Sequence, residues 1–150
     1  MTHRPLNILL ADDDKDDRFF FSLALDALTI PTQLVAVMDG EKLTENAQKL
    51  PDVLFLDLNM PRKNGFECLL EIKANPNLET LPVIIFSTSF EQEVVNLLFQ
   101  NGAQYFMRKP PEFSQLKKII QQTVTMITEE NLWHPTREHF VLTVQNLLVA

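Results

Sequence analysis

A chain of 150 residues, 45% of them hydrophobic and 22% charged, has the size of one ordinary domain and is too apolar to stay disordered. Its formal net charge of −7 leaves no basic surplus to neutralise phosphates, which argues against nucleic-acid binding and suits a bound cation or a basic partner surface. A single cysteine (Cys68), no signal-peptide stretch and no bilayer-length apolar run together predict a cytoplasmic, single-domain protein without membrane contact.

Short apolar runs alternate with amphipathic windows along the chain. Residues 6–11 (LNILLA) read as a buried strand, and 14–28 as a helix on which Phe20, Leu23, Ala24, Ala27 and Leu28 repeat at helical spacing. Asp14 suits the N-cap, with further acid in the first turn where the helix dipole favours it. Residues 32–37 form a second strand, and Asp39-Gly40 leads into a helix carrying Leu43, Ala47 and Leu50. The third strand, 52–58 (DVLFLDL), is almost continuously apolar, as a parallel strand covered on both faces must be. A loop from Pro61 to Gly65 precedes a helix at 66–74, closed by Asn75-Pro76. Residues 82–87 (PVIIFS) are the fourth strand, and Ser89 with Gln92 is a capping-box pattern opening a helix over 91–100. Gly102 ends that helix, residues 104–108 form a short fifth strand, and Leu116, Ile119, Ile120, Thr123, Val124 and Ile127 mark the fifth helix.

Five β–α units in series predict an α/β fold with a doubly wound parallel sheet and helices on both faces. Ligands of such sheets sit beyond the carboxyl ends of the strands. That rule selects Asp12-Asp13-Asp14 after the first strand, Asp57 at the end of the third, Ser87-Thr88 after the fourth and Lys109 after the fifth. Carboxylates gathered at one sheet edge repel one another unless a cation lies among them, and a hard divalent ion with oxygen ligands such as Mg²⁺ fits. An Asp carboxylate in that setting can attack phosphorus and form an acyl phosphate, with the Lys109 ammonium and a hydroxyl receiving phosphoryl oxygens. Asp14, Asp16 and Asp17 read instead as a capped and solvated first helical turn. An Asp within LFLDL resists so bland a reading, because burying a lone carboxylate costs several kcal/mol, roughly, unless it is paired.

ILLADDD, LFLDLNMPRKNG, VIIFSTS and YFMRKPPE, in that order, resemble the receiver domains of two-component response regulators, over roughly residues 5–128. The resemblance implies a flavodoxin-like sheet of strand order 2-1-3-4-5 and a phosphoryl group accepted on Asp57 from a histidine kinase or phosphotransfer protein. It further implies Mg²⁺ held by Asp13, Asp57 and the backbone carbonyl of Asn59, with Asp12 acting through water, and a cis peptide at Lys109-Pro110. Ser87 stands where the family more often has threonine and keeps the hydroxyl. Three residues before Lys109, Phe106 takes the place of the family's switch aromatic, without the hydroxyl a tyrosine would add, and Tyr105 should face the other side of the strand.

Residues 1–128 are thus expected to form the receiver and 129–150 an extension packed on it. Phe140, Val144, Leu147 and Leu148 suit a helix there, while Phe140, Leu142 and Val144 suit a strand; contact with a partner or a homodimer is the alternative use of this segment. About twenty residues after the fifth helix are too few for a DNA-binding or catalytic output domain, so signalling to a downstream protein target or phosphoryl relay is expected. His3, His134 and His139 lack metal-ligand spacing and read as surface residues. Two other readings remain: a receiver fold that binds without being phosphorylated, and an Asp-nucleophile phosphatase. The second is disfavoured because Asn59 stands where such phosphatases place a second Asp, and no cap domain encloses a substrate.

Overall fold

The computed structural model describes residues 4–88, 91–129 and 135–144. Ser89, His3, His134, Leu147 and Leu148 lie outside the described residues. The strands are β1 (Leu6–Ala11), β2 (Thr32–Val37), β3 (Val53–Leu56), β4 (Val83–Ser87), β5 (Tyr105–Arg108) and β6 (Val141–Leu142). The helices are α1 (Lys15–Asp26), α2 (Gly40–Ala47), α3 (Gly65–Ala74), α4 (Gln92–Gln100) and α5 (Phe113–Thr128). All six strands are parallel, in the order β2-β1-β3-β4-β5-β6.

β3 and β4 are buried at every position, which is why their sequences carry no polar alternation. Successive side chains go to opposite faces and build two cores. Leu9, Leu54, Leu56, Ile85 and Phe106 meet α2, α3 and α4 on one face. Ile8, Leu10, Phe55, Phe86 and Met107 meet α1 and α5 on the other. Phe21 of α1 packs edge-on against Phe55 at 5.0 Å and Phe86 at 5.6 Å between ring centroids, fixing α1 over the ends of β3 and β4.

The face of α1 keeps Phe20, Ala24 and Leu28 of the sequence expectation and replaces Leu23 and Ala27 with Phe21 and Leu25. Phe21, Ala24 and Leu25 are buried and Leu28 packs beside them, whereas Leu23 and Ala27 are exposed. Phe19-Phe20-Phe21 lets either register satisfy a 3.6-residue period, and contact with Phe55 and Phe86 selects Phe21. Leu50 likewise leaves the α2 stripe: the helix ends at Ala47, and Leu50 turns outward at φ 55° with 63% exposure. Glu91, at the N-cap of α4, makes no side-chain cap bond. The start of α3 is closed by a capping box: Asn64 Oδ1 accepts from the Glu67 N–H at 2.9 Å, and Glu67 Oε1 accepts from the Asn64 N–H at 3.3 Å. No cis peptide occurs among the described residues, so Lys109–Pro110 is trans, the isomer an X–Pro bond favours by about 0.5–1 kcal/mol without tertiary forcing.

The sheet has one strand more than the five expected. Residues after α5 return through a 3-10 turn at Arg137–His139, and β6 lies along the outer edge of β5, pairing Phe106 with Val141 and Met107 with Leu142. The Phe106 N–H donates to the Phe140 carbonyl at 3.0 Å. Phe140 is fully buried, edge-on to Phe99 of α4 at 5.3 Å, and Arg137 Nε donates to Asn96 Oδ1 at 2.6 Å. Added on the edge, β6 satisfies β5 backbone groups that would otherwise face water. Phe140→Ala is expected to cost about 3–5 kcal/mol in urea unfolding and to speed hydrogen exchange at the Phe106 amide. An unchanged exchange rate there would show that β6 holds without its ring.

Candidate phosphoacceptor site

Strand register assembles the site. β1 and β3 are in step at Ala11 and Leu56, so Asp12 and Asp57 leave their strands side by side. The Asp57 N–H donates to the Ala11 carbonyl at 2.9 Å, and the Asp12 N–H to the Val37 carbonyl at 3.0 Å. Ser87 ends β4, and the Lys109 N–H donates to the Ser87 carbonyl at 2.9 Å. Four adjacent strands therefore deliver Asp12, Asp57, Ser87 and Lys109 to the carboxyl edge of the sheet.

Gly65 makes the close fit of the β3–α3 loop possible. A Cβ there would lie 2.3 Å from the Asp57 carbonyl oxygen and 2.8 Å from Leu58 Cα, so only hydrogen fits where the Gly65 N–H bonds the Leu58 carbonyl. The loop also carries Asn59, exposed, whose backbone N–H donates to Asp57 Oδ1 at 3.3 Å.

Asp12 and Ser87 are fully buried and Asp57 retains 6% exposure, while Asp13 is exposed at the rim. Carboxylate oxygens of Asp12, Asp13 and Asp57 lie within 4.8 Å of one another. One ammonium answers them. Lys109 Nζ donates to Asp12 Oδ2 at 2.7 Å and Asp17 Oδ2 at 2.8 Å, and stands 3.8 Å from Asp57 Oδ2, above the Phe86 ring at 4.7 Å. Burial, with Asp12 adding to it and Lys109 opposing, pushes the Asp57 carboxyl up to about 7. Burial also disfavours the Lys109 ammonium, but its carboxylate partners outweigh that and raise its pKa. The donor set fits a hard divalent cation: three oxygen-bearing acids share one point, and Asp57 without such an ion tends to hold a proton instead.

The remaining named residues sort by face. Phe106 is fully buried in the core shared with α4 and Phe140, and Tyr105 lies in the opposite core with α5. Ser87 follows Ile85 and so takes the Phe106 side of β4 by strand alternation. Asp17, read from sequence as part of a solvated first turn, is instead a direct partner of Lys109. No local pattern could have identified it, since 92 residues separate the pair.

The description "Response regulator receiver domain" matches residues 8–121, more than half the chain. The chain belongs to the response regulator receiver family. Its relatives include the response regulator Rcp1 of Synechocystis sp., 32% identical over an alignment of 126 residues that covers 78% of this chain and 85% of that protein. The phosphorylated cyanobacterial phytochrome response regulator RcpA superimposes with a TM-score of 0.80 at 29% identity, covering 85% of this chain and 96% of that one. The Mn²⁺-bound form of Rcp1 superimposes at 0.76, also at 29% identity, over 88% of this chain and 100% of that one. Receiver domains accept a phosphoryl group and signal through it, and that is the role of this domain. Among the described residues, no helix is long and apolar enough to cross a membrane.

Proposed function

We propose that Asp57 is the phosphoryl acceptor of a cytoplasmic response regulator whose output is protein–protein interaction. The observation that carries the reading is a nearly buried carboxylate at the end of a central strand, with an ammonium 3.8 Å away and two further acids beside it. An Asp57 carboxylate oxygen attacks the phosphorus of a phosphohistidine on a histidine kinase or phosphotransfer protein. The P–N bond breaks, its electron pair stays with the imidazole, and Asp57 becomes an acyl phosphate. Likeness to RcpA makes a phytochrome-linked histidine kinase the first donor to try. Asp13, Asp57 and the Asn59 backbone carbonyl would hold Mg²⁺, with Asp12 acting through water, and the ion would supply neutralising charge for the phosphoryl oxygens. Lys109 binds one phosphoryl oxygen and the Ser87 hydroxyl another; Ser87 turns toward the phosphoryl group to do so, and Phe106 on the same sheet face moves into the space it leaves.

Incubation with Mg²⁺ and acetyl phosphate should yield a single phosphate adduct by intact mass, labile to hydroxylamine as acyl phosphates are. No adduct, or an adduct on a residue other than Asp57, would overturn the assignment. Cation binding should itself depend on pH. Because the Asp57 carboxyl sits at about 7, protons compete below that value and the ionised form prevails above it. The rise in melting temperature on adding Mg²⁺ should therefore be larger at about pH 8 than at about pH 6, as read by scanning fluorimetry.

A further inference from the structure

Lys109 is held on two sides before any phosphoryl group arrives, and only one of its two hydrogen-bonded carboxylates follows a strand. Asp12 is that one. Asp17 belongs to the first turn of α1, and its contact to Nζ, at 2.8 Å, is a full ångström shorter than that of Asp57, at 3.8 Å. Its place is set by the helix start: Asp14 Oδ1 accepts the backbone N–H groups of Asp16 at 2.8 Å and Asp17 at 3.0 Å, fixing that turn. Phe21, one turn on, pins α1 through Phe55 and Phe86, and the Phe86 ring lies under the Lys109 ammonium. The Lys109 side chain is 7% exposed and that of Asp17 30%, so water screens this pair only in part.

We propose that Asp17 is a positioning residue that parks the Lys109 ammonium toward α1, away from the acceptor. The inference rests on the reading of Asp57 as acceptor. An ammonium has three protons, and Asp12 and Asp17 engage two of them. A phosphoryl oxygen on Asp57 competes with Asp17 for the ammonium, drawing Nζ toward Asp57. Asp17 therefore opposes formation of the acyl phosphate and favours its loss. Asp16, exposed one residue earlier, carries the same charge without an ion pair to Lys109 and isolates the effect of charge alone.

The test measures the phosphorylation rate with acetyl phosphate and Mg²⁺, and the lifetime of the adduct after donor removal, in the whole chain and in three variants. Asp17→Asn should be phosphorylated about three- to tenfold faster and keep its phosphate correspondingly longer. Asp16→Asn should shift both by less than about twofold. Asp17→Glu, which keeps a carboxylate within reach of Nζ, should return toward the parent rate. Direct ¹⁵N spectra of the lysine ammonium should show the Lys109 signal displaced in Asp17→Asn and unmoved in Asp16→Asn. If Asp17→Asn behaves as Asp16→Asn does, the parking role is overturned while the acceptor reading stands. If the parent chain takes up no phosphate, the acceptor reading fails and this inference falls with it.

Discussion

Replacing Asp57 with Asn is expected to abolish the phosphate adduct and, in the absence of divalent cations, to make the protein more stable at neutral pH. The two effects share one cause. A carboxylate placed among Asp12 and Asp13 with 6% exposure is poised to meet phosphorus, but its ionised form is poorly accommodated until a cation arrives. The sign follows from the direction of the shift. The folded protein holds a proton on Asp57 up to about 7, whereas the unfolded chain releases it near 3.8. Folding is thus progressively weakened as pH rises from about 4 to 7, and the penalty is constant above that. Each factor of ten in proton affinity carries about 1.4 kcal/mol, so Asn, which never ionises, should gain on the order of a few kcal/mol near pH 7 and nothing near pH 4. Urea unfolding of both proteins across that range in EDTA checks the claim. Equal stability at every pH would mean that Asp57 is ionised without penalty, and saturating Mg²⁺ should narrow the gap by stabilising the parent alone.

Lys109→Met should act in the opposite direction and about as strongly. Methionine keeps the unbranched stem over Phe86 but removes the ammonium that Asp12, Asp17 and Asp57 share. Asp12, with no exposed side-chain surface, would then be a buried carboxylate without its cation. Breaking a buried pair from one side costs about 3–5 kcal/mol, and that loss should appear near neutral pH. As pH falls toward about 4 the orphaned carboxyls take up protons and the loss should fade, a profile that a packing defect would not produce. Phosphorylation should also slow, because one phosphoryl oxygen loses its ammonium. A variant equally destabilised at all pH values would place the role of Lys109 in packing instead.

Much of this site is legible in the primary structure because parallel strands put chemistry at a predictable end. Asp57 interrupts an apolar run where burial is unavoidable, and Asp12, Ser87 and Lys109 each follow a run of similar character. The α1 face and Asp17 are less visible for a common reason. Three phenylalanines in succession satisfy either helical register, and Asp14, Asp16 and Asp17 all look like cap and first-turn residues. Which ring is buried depends on Phe55 and Phe86, and which acid is functional depends on an ammonium 92 residues away.

The extension shows the same division. Phe140, Leu142 and Val144 are compatible with a strand period, and Phe140 with Val144 equally with a helical one. Among the described residues the strand covers only Val141–Leu142, because the free edge of β5 accepts a neighbour there, while Phe140 finds a buried place beside α4 and Val144 is already helical. By itself, the order of apolar runs and polar strand ends determined a doubly wound parallel fold with an acidic pocket at one edge, since these depend only on local period and on the handedness of the crossovers, while the four strand-end motifs carried the resemblance to the receiver family. Only the tertiary structure decided that Lys109 leans more closely on Asp12 and Asp17 than on Asp57, and that a sixth strand pairs with the edge of β5. Both are contacts between distant segments, fixed by distances of a few ångströms that no local periodicity encodes.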